Sequence, residues 1–165
     1  MKIGVISDTH VPRMAKDIPR AVYDGFKDVD LILHAGDLVE IKFLEKLRKF
    51  KKTVAVSGNM DSKEITTVLK PKEIIEAGNF RIGLIHGWGP PEGLAERILA
   101  EFKGEKVDCI VFGHSHHPIN ETIKGILFFN PGSTSDKMFT PYNSYGILDI
   151  TDKITGKIIK LQENV

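Results

Sequence analysis

Five short segments of this sequence place aspartate, histidine or asparagine where a buried strand is expected to end. They are Asp8-Thr9-His10, Gly36-Asp37, Gly58-Asn59-Met60-Asp61, His86-Gly87 and Gly113-His114-Ser115-His116. Carboxylate, imidazole and amide groups are ligands of manganese, iron and zinc. In the first and last segments two candidate ligands are two residues apart, and on an extended chain such residues share a face. The segments therefore predict a metal centre.

The number of candidate ligands indicates two ions rather than one. Seven side chains qualify, namely Asp8, His10, Asp37, Asn59, His86, His114 and His116. They are too many for one ion that keeps positions open for water or substrate. They suit two ions that share a bridging carboxylate. The sequence thus predicts a dinuclear centre with oxygen and nitrogen ligands.

Short apolar runs precede these segments and are typical of strands. The runs are Lys2–Ser7, Leu31–His34, Thr53–Val56, Phe80–Ile85 and Cys109–Phe112. Helical spacing of apolar residues separates several of them, around residues 18–26, at 41–50, and from Pro90 to Phe102. In such α/β arrangements ligands gather beyond the carboxyl ends of the strands, so the five segments can meet in one crevice.

The last third of the sequence is richer in strands. Four further runs are expected there and are interpreted as antiparallel hairpins: Glu121–Ile123, Ile126–Asn130, Ser144–Ile150 and Lys157–Leu161. An α/β fold accommodates both halves. We expect a four-layer α/β/β/α sandwich, in which two mixed sheets are flanked by helices.

Composition restricts the class of protein. With 165 residues, we expect a single domain over residues 1–165. One cysteine supplies neither an internal disulfide nor a thiolate metal site. The 23 basic and 22 acidic residues leave a net charge of +1, which does not favour nucleic acid or an anionic membrane as partner. No signal peptide or membrane segment is expected, and the prediction is a cytoplasmic protein.

The five segments in this order resemble the calcineurin-like metallophosphoesterases. The family pattern is Asp-x-His, Gly-Asp, Gly-Asn-His-Asp/Glu, His and Gly-His-x-His, and here it extends from residue 8 to residue 116. The short chain and the Asn130-Pro131-Gly132-Ser133 segment resemble the family's small prokaryotic YfcE-like phosphodiesterase branch. The resemblance implies a metal-dependent phosphodiesterase that acts on a small phosphodiester.

The resemblance also implies roles for individual residues. Asp8, His10 and His116 would bind the first metal, Asn59, His86 and His114 the second, and Asp37 would bridge them. Family members use a hydroxide between the two ions as nucleophile. The catalytic residues would be Asp37, Asn59 and Asp61. Manganese is the expected metal, while nickel, cobalt, iron and zinc suit the same ligands.

The sequence departs from the family pattern at Met60. Fuller family motifs have a histidine there, which protonates the leaving oxygen and is oriented by the following acid. Methionine cannot donate a proton, so the change favours esters with good leaving groups, such as aryl phosphodiesters. Trp88 follows His86-Gly87, and we expect its ring to stack on an aryl or nucleobase group.

Several alternatives stay open at this point. The chain also resembles the phosphoesterase-like subunit of retromer, in Ser7–Pro12 and Phe80–Gly87, and that subunit is a protein-binding scaffold. A phosphomonoesterase would use the same site, and a homo-oligomer is an open possibility. For His34 we expect packing or a hydrogen bond to a ligand, and for His117 a solvated side chain. Arg13 and Ser133 are candidates for contact with phosphate, although loop residues of these types are usually only solvated.

Overall fold

A computed structural model describes residues 1–136 and 138–162 and contains two five-stranded sheets. The first sheet has the spatial order β10 (Ile154–Lys160), β9 (Ser144–Ile150), β1 (Lys2–Ile6), β2 (Leu31–His34) and β3 (Thr53–Ala55). Strands β1, β2 and β3 are parallel, whereas β9 is antiparallel to β1 and to β10. The sheet is therefore mixed, and its three parallel strands end at the same edge.

The second sheet has the order β4 (Lys72–Ala77), β5 (Phe80–Ile85), β6 (Cys109–Val111), β8 (Ile126–Asn130) and β7 (Ile119–Ile123). Strands β5, β6 and β8 are parallel, and the edge strands β4 and β7 are antiparallel to their neighbours. The two expected hairpins of the last third, β7–β8 and β9–β10, are confirmed. The purely antiparallel interpretation is wrong for β8, because it also pairs in parallel with β6.

In the described part of the chain, four helices connect the strands: α1 (Arg20–Gly25), α2 (Ile41–Phe50), α3 (Lys63–Val68) and α4 (Leu94–Glu101). The helical stripe predicted at residues 41–50 is confirmed. The helix expected from Pro90 begins four residues later, after Gly93, whose φ of 71° is left-handed. Helix α3 and strand β4 were not predicted, because the polar stretch between residues 57 and 79 hides their short apolar faces.

Apolar side chains form three layers of core. The middle layer lies between the sheets and includes Ile3, Val5, Leu84 and Val111. Alternate residues of the same strands face outwards, because successive side chains on a strand point to opposite faces. In the first sheet they pack against α1, α2 and α3, and in the second against α4, as the members of the two outer clusters show. The predicted α/β/β/α sandwich of two mixed sheets is confirmed.

One close approach illustrates how tightly these layers pack. A Cβ atom on Gly4 in β1 would lie 2.7 Å from the ring of Phe26, which is fully buried. The glycine therefore lets the ring lie directly against the sheet.

Among the described residues, no helix combines the length and apolar character needed to cross a bilayer.

Candidate metal centre

The seven predicted ligands all follow the carboxyl ends of strands, and the strands belong to both sheets. Asp8 and His10 follow β1, Asp37 follows β2, Asn59 follows β3, His86 follows β5, and His114 and His116 follow β6. The backbone N–H of His114 donates to Oδ2 of Asp8 over 3.1 Å, which joins the two sheets at this edge. The structure thus brings together the residues that the sequence singles out.

The backbone at these positions is unusual. Five of the seven residues have positive φ: Asp8 (50°), His10 (46°), Asp37 (59°), His114 (66°) and His116 (57°). Residues other than glycine rarely adopt this left-handed conformation, and such strain concentrates at functional sites. In the described chain only Val39 and Lys124 share it among non-glycine residues.

The first group of donor atoms surrounds Asp8. The Nε2 atom of His116 lies 3.3 Å from Oδ1 of Asp8 and 3.4 Å from Nε2 of His10. The Nε2 atom of His10 lies 3.8 Å from Oδ2 of Asp37. Asp8, His10 and His116 therefore form a set of donors with the spacing that one cation requires.

The second group surrounds His86. Its Nε2 atom lies 3.0 Å from Oδ1 of Asn59 and 3.3 Å from Oδ2 of Asp37. The same Asn59 oxygen lies 3.1 Å from Nδ1 of His114. Because Oδ2 of Asp37 faces both His10 and His86, this carboxylate stands between the two groups.

Hydrogen bonds on the far side of the rings fix which nitrogen faces the centre. In His86, Nδ1 donates to the carbonyl oxygen of Ala35 over 2.7 Å. In His114, Nε2 donates to the carbonyl oxygen of Gly89 over 2.8 Å. In His116, Nδ1 donates to the carboxylate of Asp136. Partners of this kind orient metal-binding histidines and leave the other nitrogen with a lone pair.

The donor set fits metal ions. Imidazole nitrogens, carboxylate oxygens and an amide oxygen lie close together here, and their lone pairs repel one another unless a metal ion or protons lie between them. Ligands about 2.0–2.1 Å from a metal are about 3.0–3.4 Å from one another. Spacings of 3.0, 3.1, 3.3 and 3.4 Å agree with this geometry, and the 3.8 Å between His10 and Asp37 is longer.

The pKa values of His86, His116 and Asp8 also indicate that positive charge is stabilised at the centre. Burial opposes protonation of His86, but the hydrogen bond with Asp37 and the charges of Asp8 and Asp37 outweigh it and raise the pKa to about 9. For His116, contacts with Asp8 and Asp136 likewise outweigh burial and raise the pKa to about 9. Burial would raise the pKa of Asp8, yet His116 and His86 lower it to about 2. Without metal, protons on these rings balance the buried carboxylates.

Asp61 lies behind the donors, and its carboxylate is occupied by the backbone. Its Oδ1 accepts from the N–H of Val39, and its Oδ2 accepts from the N–H groups of Asp37 and Gly58. Burial raises its pKa, against the effect of these hydrogen bonds. The sequence predicts a catalytic Asp61. Its observed contacts position Asp37 and the loop after β3, and the catalytic role stays a prediction.

The two candidates for phosphate contact differ in where the structure places them. Ser133 is buried, and its hydroxyl donates to the backbone oxygen of Asp8 over 2.7 Å, so it braces the β1 loop and is closed to substrate. Arg13 is exposed on the wall of the cavity beside the donors. The contact between Ser133 and Asp8 is not visible in the spacing of the sequence motifs.

The other histidines match their expectations. His34 is buried, its Nδ1 accepts from the N–H of Gly36, and its Nε2 donates to Thr9 over 3.0 Å, so it supports the loops that carry Asp8 and Asp37. His117 is exposed. Cys109 is buried between the sheets, and burial raises the pKa of its thiol.

Asp136 supports the candidate metal centre and was not predicted from the sequence. It is fully buried, and its carboxylate accepts from His116 and from the N–H groups of Met138 and Phe139. The only signal in the sequence is an acid three residues after Ser133, at the end of the Asn130-Pro131-Gly132-Ser133 segment. That signal is too common to identify a partner of a metal ligand.

Two cavities formed by described residues adjoin the donors. The larger, about 570 Å³, is lined by His10, Asp37, His114 and His116 together with Arg13, Met14, Met60 and Phe139. The smaller, about 430 Å³, is lined by His86 and Trp88. Asn59 lines both cavities, so the donor atoms lie between them.

Comparison with known proteins agrees with this arrangement. A probable metallophosphoesterase of Methanocaldococcus jannaschii is 40% identical over 99% of this chain and 83% of its own length. A phosphodiesterase of the same organism is 26% identical over 96% of this chain and 99% of its own length.

The fold and the family of the chain are also shared with known proteins. Wild-type vacuolar protein sorting protein 29 of Entamoeba histolytica, crystallised with Zn²⁺, is 28% identical and superimposes with a TM-score of 0.72 over 97% of this chain and 99% of that one. Residues 1–153 match the calcineurin-like phosphoesterase superfamily domain. The chain therefore belongs to the calcineurin-like phosphoesterase superfamily.

Proposed function

We propose that this protein is a phosphodiesterase that depends on two divalent metal ions. The observation that carries the proposal is the position of Asp37, whose Oδ2 faces His10 on one side and His86 on the other. A single carboxylate between two sets of donors suits two ions that share a ligand. Asp8, His10 and His116 would hold one ion, and Asn59, His86 and His114 the other, with Asp37 shared.

Two ions in these positions would polarise phosphoryl oxygens and lower the pKa of a water molecule so that it can attack phosphorus. Other residues of the chain would orient the ligands of these ions. Asp136 and the carbonyl groups of Ala35 and Gly89 hold the ring orientations of His116, His86 and His114. Asp61 holds the backbone on either side of Asp37. Manganese is the ion we propose first.

A diester with a good leaving group is the substrate that the cavity favours. Met60 lies on the cavity wall, at the position where fuller family motifs have a proton-donating histidine. Because the thioether cannot donate a proton, the leaving oxygen has to depart as an anion, and this is easiest for an aryl oxide. The phosphodiesterase name of one relative supports the choice of diester over monoester.

The test is hydrolysis of bis-p-nitrophenyl phosphate by protein that has been stripped of metal with a chelator and then reloaded with Mn²⁺, Ni²⁺, Co²⁺ or Zn²⁺. We expect turnover only after reloading. The matched variant is Asp37→Asn, because asparagine has the same shape, tolerates the left-handed backbone and removes the shared charge. We expect it to retain the fold, as judged by circular dichroism, and to lose at least about 100-fold in activity.

A non-catalytic scaffold is the second candidate, and the likeness to a vacuolar protein sorting protein favours it. In that case the metal would be structural and the reloaded protein would hydrolyse neither diesters nor p-nitrophenyl phosphate. Faster hydrolysis of p-nitrophenyl phosphate than of the diester would instead assign a phosphomonoesterase. These three outcomes distinguish the candidate functions.

A further inference from the structure

Exposed apolar side chains concentrate around the metal centre. Seven large apolar residues are exposed in the described part of the chain, and four of them line one of the two cavities: Met14, Met60, Trp88 and Phe139. Isolated exposed apolar residues are ordinary, whereas a group of them beside polar functional atoms marks a binding surface.

Three of these residues share the larger cavity with the metal donors. Met14 is 43% exposed, Met60 42% and Phe139 62%, and all three line the cavity that contains His10, Asp37, His114 and His116. The ring of Phe139 packs edge-on against His116, with 6.3 Å between the ring centroids. An apolar wall therefore begins next to the atoms that would hold a phosphoryl group.

We propose that this apolar wall, formed by Met14, Met60 and Phe139, binds an aromatic group attached to the phosphorus of the substrate. This rests on the proposed function only in that the phosphoryl group is held at the metal donors. A ligand anchored there can extend its organic part into the larger cavity, because five of the seven donor residues line it. The volume of about 570 Å³ admits a ring as large as an aryl group or a nucleobase.

The chemistry of the wall distinguishes this ligand from others. Aromatic and thioether side chains make favourable contacts with an aromatic ring, and methionine adapts to the shape of its partner. Arg13 adds a positive charge to the same wall, which suits an anionic phosphate ester and disfavours a purely apolar ligand. An aromatic phosphate ester satisfies both features at once.

The test measures binding, so that it does not depend on turnover. Phenylphosphonate and methylphosphonate each carry one organic group on phosphorus and cannot be hydrolysed as diesters. Calorimetric titration of the Mn²⁺-loaded protein should show phenylphosphonate binding about tenfold tighter or more, because the ring is taken out of water. Phe139→Ser and Met60→Ser should each reduce this ratio at least about threefold and leave methylphosphonate binding unchanged.

The controls separate the cavity from the rest of the surface. Val68→Ser exchanges an exposed apolar residue of α3 that is 56% exposed, and it should leave the ratio unchanged. The proposal is overturned by equal binding of the two phosphonates, by no binding of either, or by loss of the preference in Trp88→Ala alone, which would move the ring to the smaller cavity. If the preference is found but no ester is hydrolysed, the proposed function fails and the binding site stands.

Discussion

The Oδ1 atom of Asp61 accepts a 2.6 Å hydrogen bond from the backbone N–H of Val39. Val39 has a φ of 84°, which for a β-branched residue is a strained conformation that costs about 1–3 kcal/mol. The other oxygen of Asp61 binds the N–H groups of Asp37 and Gly58. One carboxylate therefore holds the two loops that carry Asp37 and Asn59.

Replacing Asp61 by asparagine should loosen both loops. An asparagine keeps one acceptor oxygen and turns an NH₂ group towards a backbone N–H, so at least one donor loses its partner. We expect the free energy of unfolding to fall by about 1–3 kcal/mol, measured by urea denaturation of the metal-free protein. The control is Asp149→Asn at an exposed position of β9, where the change should stay within about 0.5 kcal/mol. Equal effects of the two substitutions would contradict the assignment.

Much of the site could be predicted because its ligands are local features of the sequence. Each ligand lies in the loop that follows a strand, and parallel strands that end at one edge bring these loops together. The positions of Asp37 and His86 follow from this rule alone. The glycines beside them are also local: a Cβ on Gly58 would lie 2.2 Å from Oδ1 of Asp37, so the close approach of the two loops requires a glycine there.

The supporting residues could not be predicted, because they act across the fold. Asp136 is 20 residues from His116, and Ser133 is 125 residues from the Asp8 carbonyl that it binds. No periodicity in the chain relates such pairs. Strand β4 was not predicted for a different reason. Most of its residues are only half-buried, so its sequence lacks the continuous apolar run of a central strand.

Asp136→Asn should weaken metal binding without removing a ligand. The carboxylate accepts from Nδ1 of His116, which keeps Nε2 of that ring directed at Asp8. Loss of the charge lowers the basicity of the ring, and partners of this kind are worth about 10–100-fold in metal affinity. Titration of metal-free protein with Mn²⁺ should show that loss. The control is Asp149→Asn, and an affinity equal to that of the control would rule out the role.

Acid should destabilise the protein through His34. Burial lowers the pKa of this histidine to about 3 from its ordinary 6.5, and the N–H of Gly36, which bonds Nδ1, leaves no room for a second proton. Between these pH values His34 is protonated in the unfolded chain and neutral in the folded chain. Stability therefore falls as pH decreases from 6.5 towards 3, by up to about 1.4 kcal/mol per pH unit from this group.

The comparison of wild type with His34→Asn isolates this effect, because both proteins carry the same metal ligands. Asparagine offers an acceptor to Gly36 but does not titrate. Urea denaturation of metal-free protein at pH 6.5, 5.5 and 4.5 should show a shallower pH dependence for the variant. His117→Asn exchanges an exposed histidine and is the matched control. Parallel curves for wild type and His34→Asn would show that His34 takes up its proton as readily in the folded chain.

Trp88→Ala should affect the second organic group of a diester. The Trp88 ring is 43% exposed on the smaller cavity, which meets the larger one at Asn59. A phosphodiester held at the donors can therefore direct one group into each cavity, and a stacked aromatic pair is worth about 0.5–1.5 kcal/mol. We expect the Michaelis constant to rise about two- to tenfold for bis-p-nitrophenyl phosphate and to stay unchanged for methyl p-nitrophenyl phosphate, whose single ring occupies the larger cavity.

The two substrates release the same leaving group, so the difference between their Michaelis constants reports on the second ring. Unchanged Michaelis constants for both esters would contradict the stacking role of Trp88 and would show that the smaller cavity does not bind the substrate.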